Sequence, residues 1–375
     1  MYIPNRHFID LEQRKAVNGD PLEKTYYRAK VGLTSPEKIR QAYASSTLNA
    51  LGIKTPSTPR AENLPANMRM WEFHKKIMLA RGEKPGFPDQ IAERALSSSD
   101  FGYALDDVLS KSLELGFSEA QAVHTKFTGK RFVTNYLPHH ADIIEAETPT
   151  VVNNEYEFGK FSDTGETVTV KPRGMIYALT AKTIREKTLA DMALVIKGAG
   201  QAMLRYEGDL VTSVLTSGTT TMGDGNALFH AASHNNYVTS GGAPSETTLG
   251  VAINAMMDQK LLTDRTKSAG IIPRYLLVPP ALQSTAESVL KVMRDDYTQN
   301  PIIVLVDHRL GDTNDSGWYL LSEGAVSLFY LEEADKPRIE IQPSWTTSSL
   351  EVKAAHDFTA ATIDWRKCFY NDGVT

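Results

Sequence analysis

Residues 189–218 read LADMALVIKGAGQAMLRYEGDLVTSVLTSG. Apolar residues recur there every three or four positions, which predicts one amphipathic helix, interrupted only near Glu207 and Gly208. Thr188 and Asp191 have the spacing of a capping box at its start. About 28 residues rising 1.5 Å each make a rod of about 40 Å, so we expect a spine that spans two lobes.

Glycines mark special positions on this predicted spine. Gly198, Gly200 and Gly208 each cost roughly 1 kcal/mol relative to Ala inside a helix. We predict that Gly198 and Gly200 are present because another segment packs closely against them. Gly218 can supply the left-handed residue that ends the helix.

Length and composition describe an ordinary globular chain that we expect to be made and kept in a cytoplasm. The 375 residues are 41% hydrophobic and 23% charged, which is enough for a core divided over two or three lobes. Cys368 is the only cysteine, so no intrachain disulfide can form and a reducing compartment fits. No apolar run approaches a membrane span, and the first ten residues lack a signal-peptide core. No membrane partner is expected.

Charge is distributed unevenly along the chain, whose net charge is −5. Residues 1–95 hold 16 Lys and Arg against 10 Asp and Glu, a balance of +6, and the remainder holds 24 against 35, a balance of −11. A basic segment on an acidic body suggests contact with nucleic acid or with a neighbouring copy, although a solvated basic face is an equally good interpretation.

Helices joined by proline-rich links dominate the first third of the chain. Cap and stop residues predict helices over 35–52, 66–81 and 99–116, a short one near 91–95, and another beginning at Ser118. Together these helices do not obviously share one core. We therefore expect an arm laid along a larger body.

The character changes to strands after residue 131. Segments 150–158 and 166–177 flank a turn and predict a two-stranded ribbon. Because an isolated ribbon is marginal in water, we expect this one to lie on another copy of the chain. Further strands are predicted in pairs, 318–321 with 326–331 and 338–342 with 350–353. Strands and helices mix without βαβ regularity, which indicates the α+β class.

Two histidines are the main candidates for chemistry. On a helix, His230 and His234 would face one way and could bind a metal, but Ala231 stands where zinc peptidases have their catalytic Glu. The alternative is that both rings hydrogen-bond the backbone of a loop rich in Gly and Asn. No phosphate-binding loop and no nucleophile elbow occurs. We predict no catalytic residue, metal or cofactor.

Several motifs resemble those of tailed-phage major capsid proteins, in the branch associated with a ClpP-like prohead protease. The clearest one reads DGNALFHA at residues 224–231 and is followed by His234 and Asn235. Others follow in the family's order, and they are SSDF at 98–101, YLLVPPAL at 275–282, DHRL at 307–310, WYL at 318–320 and IDWR at 363–366. The resemblance makes these family-motif residues structural: Asp224, Gly225, Leu228, Phe229, His230, His234, Asn235, Trp365 and Arg366.

This resemblance implies the Hong Kong 97-type capsid fold. Its parts would be a partly helical N-terminal arm at 1–95, the start of the peripheral domain at 96–146, and an extended two-stranded loop at 147–179. The spine helix and its following loop would occupy 180–240, a mainly axial domain 241–355, and a return strand 356–375. The extended loop would contact a neighbouring subunit through Tyr156, Phe158, Lys160, Phe161 and Glu166.

The function implied is that of a major capsid protein, a structural subunit and not an enzyme. Copies would form the hexamers and pentamers of an icosahedral shell around double-stranded DNA bound without sequence specificity. Portal, decoration and scaffold proteins are further candidate partners, and the chain would belong to a virion assembled in the host cytoplasm. Two alternatives remain, an encapsulin-like compartment shell and a metal-dependent enzyme that uses His230 and His234.

Overall fold

The computed structural model describes residues 36–52, 67–143, 165–217, 220–296, 301–312, 314–332, 334–344 and 349–374. The chain divides into two compact units. Unit 1 comprises Met1–Ala120, Arg173–Met203 and Lys336–His356, and unit 2 comprises Gln121–Pro172, Leu204–Asp335 and Asp357–Thr375. Within the described ranges, no helix combines the length and apolarity needed to cross a membrane.

Unit 1 is mainly helical. Its helices are α1 (Pro36–Ala50), α2 (Met70–Ala80), α3 (Pro88–Leu96), α4 (Ser99–Glu119), α5 (Ala181–Glu186) and the first part of α6 (Leu189–Thr216). Gly52 and Gly82 have φ values of +82° and +76° just after α1 and α2, as expected of helix-ending glycines. The first three helices therefore lie where the sequence predicts them, within a few residues.

One core holds these helices together, so the expectation that they share none is wrong. Buried residues of α1 to α4 pack with Leu179, Ile184, Leu189 and Ile196 in a single apolar cluster. Tyr43 of α1 stacks on Phe73 of α2 with ring centroids 4.2 Å apart. Residues 36–52 and 67–96 thus belong to a packed body. The part of the arm at 1–35 lies outside the described residues.

The long helix α6 matches its prediction in length and start. Thr188 and Asp191 form the capping box: the Thr188 amide donates to the Asp191 carboxylate at 2.9 Å, and the Asp191 amide donates to the Thr188 hydroxyl at 3.1 Å. The 28 residues of α6 contribute 189–203 to unit 1 and 204–216 to unit 2. Gly218, the predicted terminator, lies outside the described residues.

Three strand segments complete unit 1. Strand β10 (Arg338–Pro343) pairs antiparallel with β11 (Ser349–Ala361), and Arg338 lies opposite Ala355. This pairing confirms the prediction for 338–342 with 350–353. Strand β4 (Lys171–Thr180) also pairs with β11, and Gly174 lies against the backbone of Ala354 and Ala355.

Unit 2 is built on sheets. One has the order β5-β12-β8-β6-β7, formed by Tyr237–Val238, Cys368–Asn371, Trp318–Ser322, Pro273–Val278 and Ile303–Val306. In the other, β9 (Val326–Leu331) pairs in parallel with β1 (Thr128–Val133) and antiparallel with residues 358–361. Strands β8 and β9 lie in different sheets, so the predicted pair 318–321 with 326–331 is wrong. The predicted fold class, α+β, is confirmed.

The predicted ribbon also differs from the structure. The segment 166–177 is two strands, β3 (Gly165–Val168) and β4, separated by residues 169 and 170. Strand β3 pairs antiparallel with β2 (His139–Asp142), a partner that the sequence did not predict. The other predicted strand, 150–158, lies outside the described residues.

Within the described residues, four helices accompany these sheets. The two longer ones are α8 (Glu246–Met257) and α9 (Gln283–Asp296). The short ones are α7 (Ala231–His234) and α10 (His308–Gly311). Helix α8 starts with a capping box between Ser245 and Thr248, whose amide donates to the Ser245 hydroxyl at 3.1 Å. Apolar residues of α8 and α9 pack with those of β6, β8 and β12 in one buried cluster.

Candidate functional site

The loop that carries the histidine motif wraps around the single turn α7. His230 caps this turn: the Ser233 amide donates to its Nδ1 at 3.0 Å. Asn235 ends the turn with φ of +49°, a left-handed conformation that Asn tolerates better than most residues. Gly225, with φ of +83°, supplies a second left-handed position earlier in the loop.

His234 is the buried centre of this loop, with 1% of its surface exposed. Its Nδ1 lies 3.0 Å from the Leu228 carbonyl oxygen, and its Nε2 lies 2.8 Å from Oδ2 of Asp224. The ring stacks on the Trp365 indole at 4.3 Å with an interplanar angle of 11°. Both ring nitrogens are thus directed at acceptor oxygens.

Asp224 is a carboxylate held in its charged form. Partial burial raises its pKa, but hydrogen bonds from Asn226 and from the His234 ring outweigh that effect and lower the pKa to about 2. The Asn226 amide donates to Oδ1 at 3.0 Å and its side chain donates to Oδ2 at 2.9 Å.

Asn236 joins the two ends of the motif and was missed by the sequence analysis. Its side chain donates to the Leu228 carbonyl at 2.8 Å and to the Trp365 carbonyl at 3.2 Å, and its Oδ1 accepts from the His230 amide at 3.0 Å. Gln259, also missed, donates to the His234 carbonyl at 2.8 Å. Both side chains are buried.

Other motif residues pack within unit 2. Leu228 is 2% exposed, and the Phe229 ring packs at 5.6 Å from Tyr319. Arg366, 2% exposed, donates from Nε and Nη2 to the two oxygens of Asp364 and from Nη1 to the Lys260 carbonyl. A buried guanidinium with these partners has its charge and hydrogen bonds satisfied.

This geometry gives the metal-site alternative no support. The Nδ1 of His230 accepts from a backbone amide, and both nitrogens of His234 face protein oxygens. Across the described part of the chain, no group of three or more His, Cys, Asp and Glu residues is arranged to hold a metal.

A second polar cluster surrounds the unit-2 part of α6, where the apolar pattern breaks. Glu207 is 1% exposed, and its carboxylate accepts a hydrogen bond from the Tyr330 hydroxyl. The other carboxylate oxygen lies 3.9 Å from Nε2 of His124. Burial, with the nearby Glu207, raises the pKa of Tyr330 strongly, so the phenol remains a donor.

Arg309 closes the same cluster. Its Nη1 donates to Oδ1 of the buried Asp307 at 3.1 Å, its Nη2 donates to the Arg205 carbonyl at 3.1 Å, and it also pairs with Asp209. A Cβ added at Gly208 would lie 2.8 Å from Nη2 of this arginine. Gly208 therefore provides the space in which the guanidinium packs against the helix. The periodicity of the sequence does not predict this cluster, because its residues come from distant parts of the chain.

The decisive comparison is with models of protein families. Residues 164–371, more than half of the chain, match the family model described as phage capsid protein. The chain belongs to the phage capsid protein family. The α+β class and the phage capsid family predicted from the sequence are therefore confirmed. No curated protein matches this capsid protein in sequence.

Solved structures similar to the capsid protein are distant. The virus-like particle protein from Pyrococcus furiosus has 10% identity and a TM-score of 0.42, over 70% of this chain and 97% of that one. A chain of the head structure of Helicobacter pylori bacteriophage KHP40 has 11% identity and a TM-score of 0.43, over 65% of this chain and 87% of that one. The holo-SrpI encapsulin complex from Synechococcus elongatus PCC 7942 has 10% identity and a TM-score of 0.40, over 67% of this chain and 86% of that one. Because these TM-scores lie below 0.5, the assignment to the family rests on the family match alone.

The spine glycines of the capsid protein differ from each other. A Cβ at Gly200 would overlap the Leu113 carbonyl oxygen and lie 2.8 Å from the Phe117 nitrogen, so α4 packs directly on α6 there. A Cβ at Gly198 would meet no atom within 4 Å, and this glycine is exposed. The prediction of close packing is thus wrong for Gly198 within the subunit.

Four of the five predicted loop-contact residues cannot be placed. Tyr156, Phe158, Lys160 and Phe161 lie outside the described residues. Glu166 is in β3, where its Oε1 accepts from the Gly223 amide at 2.6 Å. This residue therefore has a partner inside its own subunit.

Proposed function

We propose that this capsid protein is the major head protein of a tailed phage or prophage, and that its copies tile a closed icosahedral shell around double-stranded DNA. The match of residues 164–371 to the phage capsid family carries this proposal. A capsid implies self-association into a shell and a place in the virion. Hexamers and pentamers are the building blocks we expect.

Exposed apolar side chains in unit 1 support an assembling surface. On β4, Met175 and Ile176 are 58% and 61% exposed, and on α6, Leu194 and Val195 are 56% and 47% exposed. Covering such apolar side chains lowers the free energy of the system by roughly 25 cal/mol per Å² of apolar surface buried. A neighbouring subunit would supply that cover.

The predicted domain roles form part of the same proposal. Residues 147–179 would contact a neighbour as the extended loop, 180–240 would form the spine region of the peripheral domain, and 241–355 mainly the axial domain. Basic residues at 1–95 would contact packaged DNA through phosphates, without base preference. The subunit would act as structural material and carry out no catalysis, and it would assemble in the host cytoplasm.

Sedimentation velocity of two variants tests the proposal. A variant in which residues 150–160 are replaced by a short Gly-Ser linker retains β3 and should sediment as a folded subunit or small oligomer. The wild-type chain should sediment as particles. Glu323→Ser, in the exposed turn between β8 and β9, serves as the control and should leave assembly intact. Wild-type particles formed equally well by the 150–160 variant would contradict the loop's role.

The contents of purified particles separate the shell of a phage from an encapsulin-like compartment. Nuclease-protected double-stranded DNA is expected inside particles made in the presence of the packaging machinery. A tightly bound enzyme in its place would favour the compartment.

A further inference from the structure

Helix α6 carries a line of residues on the side opposite its buried ones. Residues seven positions apart lie nearly above one another on an α-helix, so Asp191, Gly198 and Arg205 form this line, and all three are exposed. Leu194, which is 56% exposed, and the half-buried Ala202 lie one turn from Gly198 on the same side. These five residues are called the outer face of α6 below.

Gly198 is the residue of this face whose presence the subunit alone does not explain. Glycine lowers helix propensity more than any residue except proline. Gly200 admits the backbone of α4, whereas a Cβ at Gly198 would meet no atom of the described residues within 4 Å. An open helical glycine beside an exposed leucine suits a backbone that approaches from outside the subunit.

We infer that the outer face of α6 binds the same face of a second copy, with the two helices antiparallel about a two-fold axis beside Gly198. This contact rests on the proposed function, in which copies of the chain are each other's partners. In such an isologous contact, each residue meets the residue that lies equally far from the axis in the other direction.

The outer face is complementary to itself in this arrangement. Leu194 precedes Gly198 by four residues and Ala202 follows it by four, so the large side chain of each copy would face the small one of the other. Asp191 and Arg205 lie seven residues before and after Gly198, so each carboxylate would face a guanidinium.

The charges on this face select the antiparallel direction. A hydrogen bond from the Thr188 amide lowers the pKa of Asp191, so its carboxylate is ionised at neutral pH. Parallel helices in register would place Asp191 beside Asp191 and Arg205 beside Arg205, and both pairs would repel.

Ordinary helix packing allows both kinds of contact at once. Helix axes pack about 8–10 Å apart, and small residues at the crossing permit the short end of that range. Asp191 and Arg205 each lie roughly 10 Å along the helix from Gly198. At a crossing angle of about 20°, the two helices diverge little over that length, so the long arginine side chain can reach its partner.

Cysteine cross-linking of the full-length chain tests the crossing. Gly198→Cys, oxidised with copper phenanthroline, should give disulfide-linked dimers, because the axis brings both copies of residue 198 within the Cα distance of about 4.4–6.8 Å that a disulfide needs. Cys368 is buried and should not compete. Gly102→Cys is the matched control, since a Cβ at this helical glycine also meets no described atom within 4 Å, and it should remain unlinked.

Two further variants test the register of the contact. Leu194→Cys combined with Ala202→Cys should cross-link between copies. Leu194→Cys alone should not, because the two copies of residue 194 would lie about 12 Å apart along the helices, beyond the reach of a disulfide. Efficient cross-linking of Leu194→Cys alone would contradict the antiparallel register.

Gly198→Leu tests whether assembly needs the crossing. Overpacking at a close contact should lower the particle yield roughly tenfold or more, while the free subunit stays at least as stable as the wild type. Gly102→Leu should retain the wild-type yield. A wild-type yield of particles from Gly198→Leu would contradict the crossing.

Cross-linking also separates this inference from the proposed function. Closed shells in which Gly198→Cys does not cross-link would overturn the crossing and leave the proposed function intact. If the wild-type chain forms no shells, the proposed function fails. Cross-linked Gly198→Cys dimers in solution would then still support the crossing, and unlinked monomers would overturn it as well.

Discussion

Gly116 and Gly200 lie against each other where α4 and α6 cross in unit 1. A Cβ at Gly200 would lie 3.2 Å from the Gly116 carbonyl carbon, and one at Gly116 would lie 2.8 Å from the Lys197 carbonyl carbon. Each glycine therefore admits the backbone of the other helix. The crossing costs roughly 1 kcal/mol of helix propensity per glycine and gains close backbone packing.

Replacing Gly200 with Leu should destabilise the subunit, and the same change at Gly198 should not. At Gly200 the side chain would overlap backbone that cannot move away, at a cost of roughly 1–3 kcal/mol or more. At Gly198 the new side chain points into open space, and the helix gains propensity. Denaturant unfolding of both variants measures the difference. Equal stabilities would show that α4 does not pack on α6 as described.

Replacing Arg309 with Met should destabilise unit 2. The change leaves Asp307, 1% exposed, without its cation, and breaking a buried pair costs about 3–5 kcal/mol. Lys353→Met is the control, because Lys353 and Glu340 form a solvent-exposed pair worth less than about 1 kcal/mol. Thermal unfolding compares them. A loss at Arg309 no larger than at Lys353 would contradict the role assigned to the guanidinium.

Tyr330→Phe should destabilise the protein, because Glu207 loses the hydroxyl that donates a hydrogen bond to its buried carboxylate. Removing the hydroxyl leaves a buried carboxylate without that hydrogen bond, at a cost of about 1–3 kcal/mol. The double variant with Glu207→Gln should cost clearly less than the two single changes added together, because they share one interaction. Free energies of unfolding for the four proteins decide the point, and strict additivity would argue against coupling.

Acid should remove the stabilisation that Asp224 provides. Its pKa is lowered from 3.8 to about 2 on folding, so its contribution is complete above about pH 4 and is lost as the pH falls toward 2. Since about a third of the Asp224 side chain is exposed, we expect its contribution to the free energy of unfolding to be roughly 1 kcal/mol. The stability difference between wild type and Asp224→Asn should shrink over this range. A difference that stays constant below pH 4 would oppose the assignment.

Local signals explain what the sequence could predict. The Thr188–Asp191 capping box fixed the start of α6, and the period of its apolar residues fixed its length. Gly116 shows the limit of such signals. The sequence predicts a helix end at Gly116, but the helix continues to Glu119. A glycine that ends a helix and a glycine that lets a neighbouring helix approach give the same signal in the sequence.

Contacts between distant residues account for what the sequence could not predict. Neither the His234–Trp365 stack nor the Asn236 bridge to Trp365 leaves a periodic trace, since their partners lie about 130 residues apart in the chain. Closeness in sequence predicts that β8 pairs with β9, but in the structure β8 pairs with β6 and β12. The capsid motifs predicted the family because they depend on residue identity and order.

Electron microscopy of the purified full-length protein tests the central claim most directly. If the chain is the building block of a capsid, negatively stained samples should contain closed shells of uniform diameter, and their averaged images should show five-fold and six-fold clusters of subunits. A folded protein that remains monomeric or forms only irregular aggregates, under conditions that span salt and protein concentration, would contradict the account.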